Sequence, residues 1–312
     1  MRFSQQQPGW LAITLDERQI SLAHVVRPPA GKPRVAMLQS TPSGPHDDVD
    51  ALARLRRTNG LQRYRCSTLL GAPSYQLVQV NTPAVPADEQ KAALRWAVKD
   101  ALDYPADEAL IDVLSIPAGA NAPGRPGLSF AVAARRDVVA QRVRAFQRAG
   151  LRLQVIDVAE TAQRNIAALF ETPGRALALL ACHDNGGLLT FTLDGELFAS
   201  RRIDIAASAL TLDGKDDAPR RDAFFERIVL EMQRSLDSFD RQFGHIALQR
   251  LLVAAPPGAM PLIHHLASNL YCAVEALDLA AVLETEGCTE LADSARQTAW
   301  LPAIGLALRE VD

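Results

Sequence analysis

Short aliphatic runs broken by turn residues open the chain. Trp10–Leu15, Gln19–Arg27 and Arg34–Gln39 are each mostly apolar, with Asp16-Glu17 and Pro28-Pro29-Ala30-Gly31 at the breaks, and this pattern predicts three consecutive strands. Val49, Leu52 and Leu55 then recur at helical spacing, and Asn59-Gly60 closes that helix. Strands are predicted at Ser67–Gly71 and Gln76–Val80. The same order returns later. Ala176–Cys182, Gly187–Leu193 and Glu196–Ile203 read as strands, and Asp194-Gly195 is a two-residue hairpin signal. A helix over 221–243 carries Phe225, Ile228, Met232, Leu236, Phe239 and Phe243 on one face, with Gly244 placed to cap it. A strand over 250–255, a helix over 259–270, a strand over 273–277 and a final helix over 300–308 complete the pattern. A unit of three strands, a helix and a strand therefore occurs twice, which predicts a duplicated α/β fold with a cleft between the copies.

Between the copies the pattern changes. Leu94, Val98 and Leu102 form a helical stripe that starts after Asp88 and ends at Tyr104-Pro105. A strand over 110–116, a Pro- and Gly-rich loop over 117–127, a strand over 128–134, a helix over 136–149 stopped by Gly150, and a strand over 153–158 follow. The predicted division is a first lobe over 1–83, an inserted subdomain over 84–157, a helix and connection over 158–175, and a second lobe over 176–312.

Composition narrows the function classes. Of 312 residues, 48% are hydrophobic and 22% charged, which excludes general disorder. A net charge of −3 supplies no bulk field for nucleic acid or an anionic bilayer. No apolar run is long enough to span a membrane, and MRFSQQQPGW does not read as a signal peptide, so a cytoplasmic location is expected. Cys66, Cys182, Cys272 and Cys288 form no CxxC pair, and the adjacent His264 and His265 diverge on a helix, so neither a zinc site nor a redox dithiol is expected.

Three stretches carry a resemblance. The C-terminus reads Trp300-Leu301-Pro302-Ala303-Ile304-Gly305-Leu306-Ala307-Leu308-Arg309, and an internal helix contains Leu230-Glu231-Met232-Gln233-Arg234-Ser235-Leu236-Asp237. The inserted region shows Leu94-Arg95-Trp96-Ala97, Tyr104-Pro105, Val132-Ala133-Ala134, Ala149-Gly150-Leu151 and Ile156-Asp157-Val158. In order and spacing these resemble the PilM family of type IV pilus assembly proteins, most closely its MshI-like branch, which serves MSHA-type pili. The resemblance implies an actin-like fold related to FtsA, with residues 84–157 as the inserted subdomain 1C. It also implies a reduced subdomain 2B near Thr211–Arg220.

Actin-like ATPases hold phosphates with glycine-containing hairpins, because backbone must approach closely, and with an aspartate near the metal. By resemblance the first hairpin falls at Asp16-Glu17-Arg18-Gln19, which lacks the glycine and the serine cluster and places Glu17 beside Asp16. The second falls at Ala181-Cys182-His183-Asp184, where alanine replaces the aspartate and histidine the glycine; Asn185, Gly186 and Gly187 follow. The adenosine-contacting segment falls at Ala255-Pro256-Pro257-Gly258-Ala259, where two prolines remove backbone donors. Asp16, Asn185, Gly186, Gly187 and Gly258 are thus what remains of a nucleotide cleft. No cofactor and no catalytic residue is expected, with weak Mg-ATP binding as the alternative.

Function is then expected on a surface. The resemblance implies a groove beside the inserted subdomain that takes the N-terminal cytoplasmic tail of a PilN-like or MshJ-like single-span membrane protein, with Arg95, Trp96, Lys99 and Tyr104 as its lining. Trp96 adjoins the Leu94–Val98–Leu102 stripe, so two readings stay open: helix core, or a peptide anchor with large area and few rotamers. Arg135, Arg136, Arg142, Arg144 and Arg148 read as the solvated side of an amphipathic helix, with phospholipid or an acidic partner as the alternative. The expected function is a non-catalytic scaffold of pilus assembly, recruited to the inner membrane by its partner. A divergent ATPase or ATP-dependent phosphotransferase is the alternative.

Overall fold

The computed structural model describes residues 6–16, 19–42, 48–117, 127–183, 186–205, 210 and 218–310. Two five-stranded sheets share one topology. The first contains β1 (Trp10–Leu15), β2 (Gln19–Val26), β3 (Arg34–Pro42), β4 (Arg65–Leu69) and β8 (Leu153–Asp157), in the order β3-β2-β1-β4-β8. The second contains β9 (Ala176–His183), β10 (Gly186–Leu193), β11 (Glu196–Ile203), β12 (Leu248–Ala254) and β13 (Ala273–Ala276), in the order β11-β10-β9-β12-β13. In each, an antiparallel meander continues into two parallel strands. The predicted duplication is therefore present.

Each sheet is covered on both faces, which is why its strands read as apolar runs rather than alternations. Leu11 and Ile13, with Ile20 and Leu22, face α1 (Asp48–Asn59) and α3 (Arg136–Ala149). On the other face, Ala12 and Ala23 bury with α4 (Ala159–Ala167) and with α7, the C-terminal helix Leu301–Ala307. Leu177, Leu179 and Ala181 of the second sheet join the same cluster, so α4 and α7 form a layer between the sheets. The outer face of the second sheet takes α5 (Ala218–Phe243) and α6 (Met260–Asn269). The phenylalanine stripe expected there is buried, and Phe239 stacks on Phe191 at 4.5 Å.

The boundaries differ from those expected. A separate three-stranded sheet contains β5 (Tyr75–Asn81), β6 (Ala109–Ser115) and β7 (Leu128–Arg135), in the order β5-β7-β6. It starts at Tyr75, not at 84, because β5 pairs with β7 along its whole length. One face carries α2 (Ala87–Val98), whose Leu94 and Val98 bury on Ile111, Ala131 and Ala133. Phe130 and Ile116, on the opposite face, bury in the cluster of the second lobe. Conversely, α3 and β8, expected in the insertion, belong to the first layer: Phe146 and Ala149 pack with Leu52 and Leu55, and β8 pairs with β4. The C-terminal helix α7, expected in the second lobe, packs on α4, and Arg27, just after β2, donates to the Leu308 carbonyl at 2.8 Å. Much of the 117–127 loop and of the 211–220 segment lies outside the described residues.

His24 ties the chain start to the first sheet. Its buried ring donates Nε2–H to the Pro8 carbonyl at 2.7 Å and meets Tyr64 edge-on at 4.8 Å. Burial, with Arg34 nearby, holds its pKa below 6.5, against the opposing pull of that carbonyl. A histidine kept neutral when folded but free to protonate when unfolded loses stability as pH falls below 6.5. Melting temperatures from pH 8 to pH 5 are expected to decline below that point. The decline should flatten in His24→Gln, and an unchanged slope in that variant would reject this source.

Candidate functional site

Turns at the carboxyl ends of strands are where this architecture presents backbone to a ligand. In the β1–β2 turn, the exposed Asp16 is engaged locally: its carboxylate accepts from the Gln19 amide at 2.8 Å. Glu17 and Arg18 lie outside the described residues, as do Asp184 and Asn185. In the second sheet, Ala181 pairs with Ala254, so the β9–β10 turn and the loop after β12 lie at the same end. Gly186, Gly187 and Gly258 therefore occupy neighbouring turns, whereas Asp16 belongs to the other sheet. Gly186 and Gly258 have φ of 116° and 85°, a need of the turn itself. The space above Gly187 is filled by the protein: a Cβ there would lie 2.9 Å from Ile205 Cδ1. The Ala255 carbonyl accepts from Thr298 Oγ1 at 2.9 Å. Among the described residues, these turns carry no serine or lysine, and Gly187 is covered by Ile205.

The polar groups at the joint between the lobes are engaged with one another. Asp157, at the end of β8, accepts from the Val158 amide at 3.0 Å and from the Thr161 hydroxyl, and pairs with Arg309 at 2.8 Å. Its charge is thereby matched by arginine. From α4, Gln163 donates to the Leu179 and Leu188 carbonyls of the second sheet at 2.7 and 3.0 Å, and Asn165 donates to the Gly305 carbonyl at 2.9 Å. The buried Glu160 accepts from the Tyr75 hydroxyl at 2.5 Å and pairs with Arg202 at 3.0 Å, while Arg202 donates to that hydroxyl at 2.7 Å. This triad joins β5, α4 and β11, one strand or helix from each packed unit. Burial first, then the adjacent Glu160 charge, pushes the Tyr75 phenol above its ordinary value, so it stays protonated and donates. Sequence patterning missed all three residues. The available signal was a pair of polar residues, Glu160 and Gln163, set among the small apolar positions Ala159, Ala162 and Ile166.

The candidate lining of the peptide groove divides. Trp96 is 74% exposed, which excludes helix core: it lies at the surface, opposite the Leu94–Val98 stripe. Lys99 Nζ lies 5.9 Å from its ring, and Arg95 is half-buried beside it. Tyr104 does not join that face. It packs on the cluster under α2, with the Arg135 guanidinium 5.2 Å from its ring, and burial raises its pKa. A separate recess of 520 Å³ lies between Tyr75–Val78 of β5, Ala101 after α2, and Ser200–Arg202 of β11, with Glu160 in its lining. Both β5 and β11 are edge strands. Two unpaired sheet edges thus face one slot, the geometry that accepts an extended peptide. Among the described residues no helix is long and apolar enough to cross a membrane, and no cluster of three metal-binding side chains occurs.

Neither a family model nor a curated protein matches this chain. Solved structures do. A PilM–PilN type IV pilus biogenesis complex aligns with a TM-score of 0.75 at 20% identity, covering 96% of this chain and 98% of that chain. A Bacteroides thetaiotaomicron protein of actin-like ATPase fold and unknown function aligns with a TM-score of 0.50 at 7% identity, covering 92% of this chain and 96% of that one. At these identities the likeness establishes the fold, which is actin-like.

Proposed function

We propose that this chain is a non-catalytic scaffold of a type IV pilus assembly machine, in the MshI-like manner. It captures the N-terminal cytoplasmic tail of a PilN-like or MshJ-like membrane protein and is drawn by it from the cytoplasm to the inner membrane. The observation that carries the reading is a slot between two sheet edges in an actin-like frame, in a sequence without the serine cluster of the family's first phosphate hairpin or the aspartate of its second. Support also comes from the fold-level likeness to one half of a PilM–PilN complex. In this reading the cleft takes no nucleotide. The tail's backbone pairs with the edge of β5 or β11, and its apolar side chains enter the 520 Å³ recess. Trp96 then serves as an anchor only where the tail runs on over α2.

Calorimetry with a synthetic tail peptide tests this. Wild type is expected to bind with a dissociation constant of tens of micromolar or tighter. Ser200→Trp, which plugs the recess, should abolish the signal while the melting temperature holds. Trp96→Ala should weaken binding severalfold if the tail extends over α2. No binding by wild type at those concentrations defeats the reading. Binding unaffected by Ser200→Trp but lost in Trp96→Ala moves the site to α2. A melting-temperature rise in millimolar Mg-ATP favours the ATPase or phosphotransferase reading instead, since saturating ligand adds about 2.7 kcal/mol at 100 times its dissociation constant.

A further inference from the structure

The net charge of −3 conceals a local excess of the opposite sign. Residues 51–87 and 138–156 contain no Asp or Glu. The fold brings the two segments together. Helices α1 and α3 run parallel on the first sheet: Asp48, at the start of α1, acts on Arg142, while Arg56, near its end, lies against Gly150 after α3. A Cβ at Gly150 would meet Arg56 Nη1 at 2.6 Å. Strands β4 and β8 start at the same end, where the Cys66 amide donates to the Arg152 carbonyl. Both helices therefore finish, and both strands begin, at one end of the first lobe. Arg56, Arg57, Arg63, Arg65, Arg148 and Arg152 collect there. This end is opposite the Asp16 turn, since β1 runs parallel to β4.

Cations at helix carboxyl ends offset the macrodipole, which accounts for one or two of them. Six exceed that need. Among the described residues none of the six forms an ion pair. Several arginines elsewhere are paired, as at Arg135–Glu108, Arg201–Glu231 and Arg250–Glu275. Arg65 is held in place over the buried Trp10 ring at 4.9 Å, and its Nε has no partner.

We propose that this end of the first lobe rests directly on an anionic phospholipid surface, the six guanidinium groups meeting lipid phosphates. Guanidinium is the side chain that binds phosphate in a bidentate fork. The choice of a bilayer over a nucleic acid follows from shape. The arginines sit where four roughly parallel elements end, a broad and shallow face. A single strand needs exposed aromatic rings for stacking, and here Trp10 is buried beneath Arg65. The recess at β5–β11 and another at the start of β12 lie elsewhere. This inference stands apart from the tail-binding reading, because it needs no partner protein.

The test is sedimentation of the full chain with vesicles at low salt. Phosphatidylglycerol-rich vesicles should bind it and phosphatidylcholine vesicles should not, and salt should release it. Each surface arginine adds roughly fivefold to partitioning, so Arg57→Gln/Arg63→Gln/Arg148→Gln/Arg152→Gln should cut binding by at least about tenfold. A second quadruple variant, Arg220→Gln/Arg227→Gln/Arg234→Gln/Arg241→Gln on α5, changes net charge equally and should still bind. Matching melting temperatures for both variants show that folding is not the cause. No wild-type binding to anionic vesicles overturns the inference, and so does equal loss in both variants. Displacement by a short oligonucleotide or by poly-glutamate at equal charge overturns it in favour of that polymer.

Discussion

Gly305→Ala is expected to lower the melting temperature by about 4–5 °C, equivalent to about 3 kcal/mol for a chain of this size. Gly305 lies in α7 where that helix crosses α4. A Cβ there would stand 2.2 Å from the Ala162 carbonyl oxygen and 2.7 Å from its carbon. These are backbone atoms, so no rotamer change relieves the clash. The helices must move apart, and they form the layer between the two sheets. Separation would also lengthen the Asn165–Gly305 hydrogen bond, now 2.9 Å, and loosen Leu179 and Ala254 against Ile304. Intrinsic propensity acts the other way: alanine gains about 1 kcal/mol over glycine inside a helix. The sign therefore reports on the crossing. Scanning calorimetry of the single variant decides it, and an unchanged or higher melting temperature would show that α4 and α7 do not touch at Gly305. The C-terminal stretch that carried the family resemblance thus has a physical reason, since Pro302 starts the helix and Gly305 admits the partner backbone.

Much of the architecture was legible in the chain because its signals are local. The β9–β10–β11 meander follows from apolar runs and Asp194-Gly195, and the buried face of α5 follows from spacing alone. What was not legible depends on partners distant in sequence. β5 alternates as a strand of either sheet would, and only its pairing with β7 assigns it to the smaller one. α4 gives a weak helical pattern, since Glu160, Gln163 and Asn165 sit on buried faces and are satisfied from β5, β11, the second sheet and α7. Trp96 was ambiguous because it adjoins an apolar stripe in sequence. Residues two positions apart on a helix differ by about 200°, as Trp96 does from Leu94 and Val98, so phase rather than proximity places it in solvent. Asp157 accepts locally from the Val158 amide and the Thr161 hydroxyl, but its pairing with Arg309 joins residues 152 positions apart. The arginine-rich end of the first lobe was half visible, in α3 alone. Its other half comes from α1 and β4 and appears only when the helices are laid side by side.

Glu160→Ala should cost about 2 kcal/mol, mostly through the phenol it strands. Glu160 is nearly fully buried, whereas Arg202 is about half exposed, with side-chain exposures of 2% and 47%. Loss of the carboxylate therefore leaves Arg202 able to reach water, which discounts the ionic part of the effect. Tyr75 has no such escape: it is buried, and its hydroxyl would keep only the Arg202 donor at 2.7 Å and the Ala159 amide at 3.3 Å. Glu160→Gln retains an acceptor for the phenol and should cost less than half as much. That ordering separates hydrogen bonding from charge. The same triad sets an alkaline limit. A phenol whose folded pKa is raised contributes its full stability below its unfolded value of 10, and that stability is lost as pH rises above it. Chemical denaturation of wild type across pH 8 to 11 should show a decline that begins near pH 9 with the buried Cys66 and Cys182 thiols, which burial pushes up to about 12, and Tyr75→Phe should make it shallower above pH 10 at a lower overall stability. The triad also lines the recess, so under the proposed function Glu160→Ala should change affinity for the tail peptide. If the decline above pH 10 is as steep in Tyr75→Phe as in wild type, the Tyr75 phenol is not among its sources, and the thiols of Cys66 and Cys182 carry it.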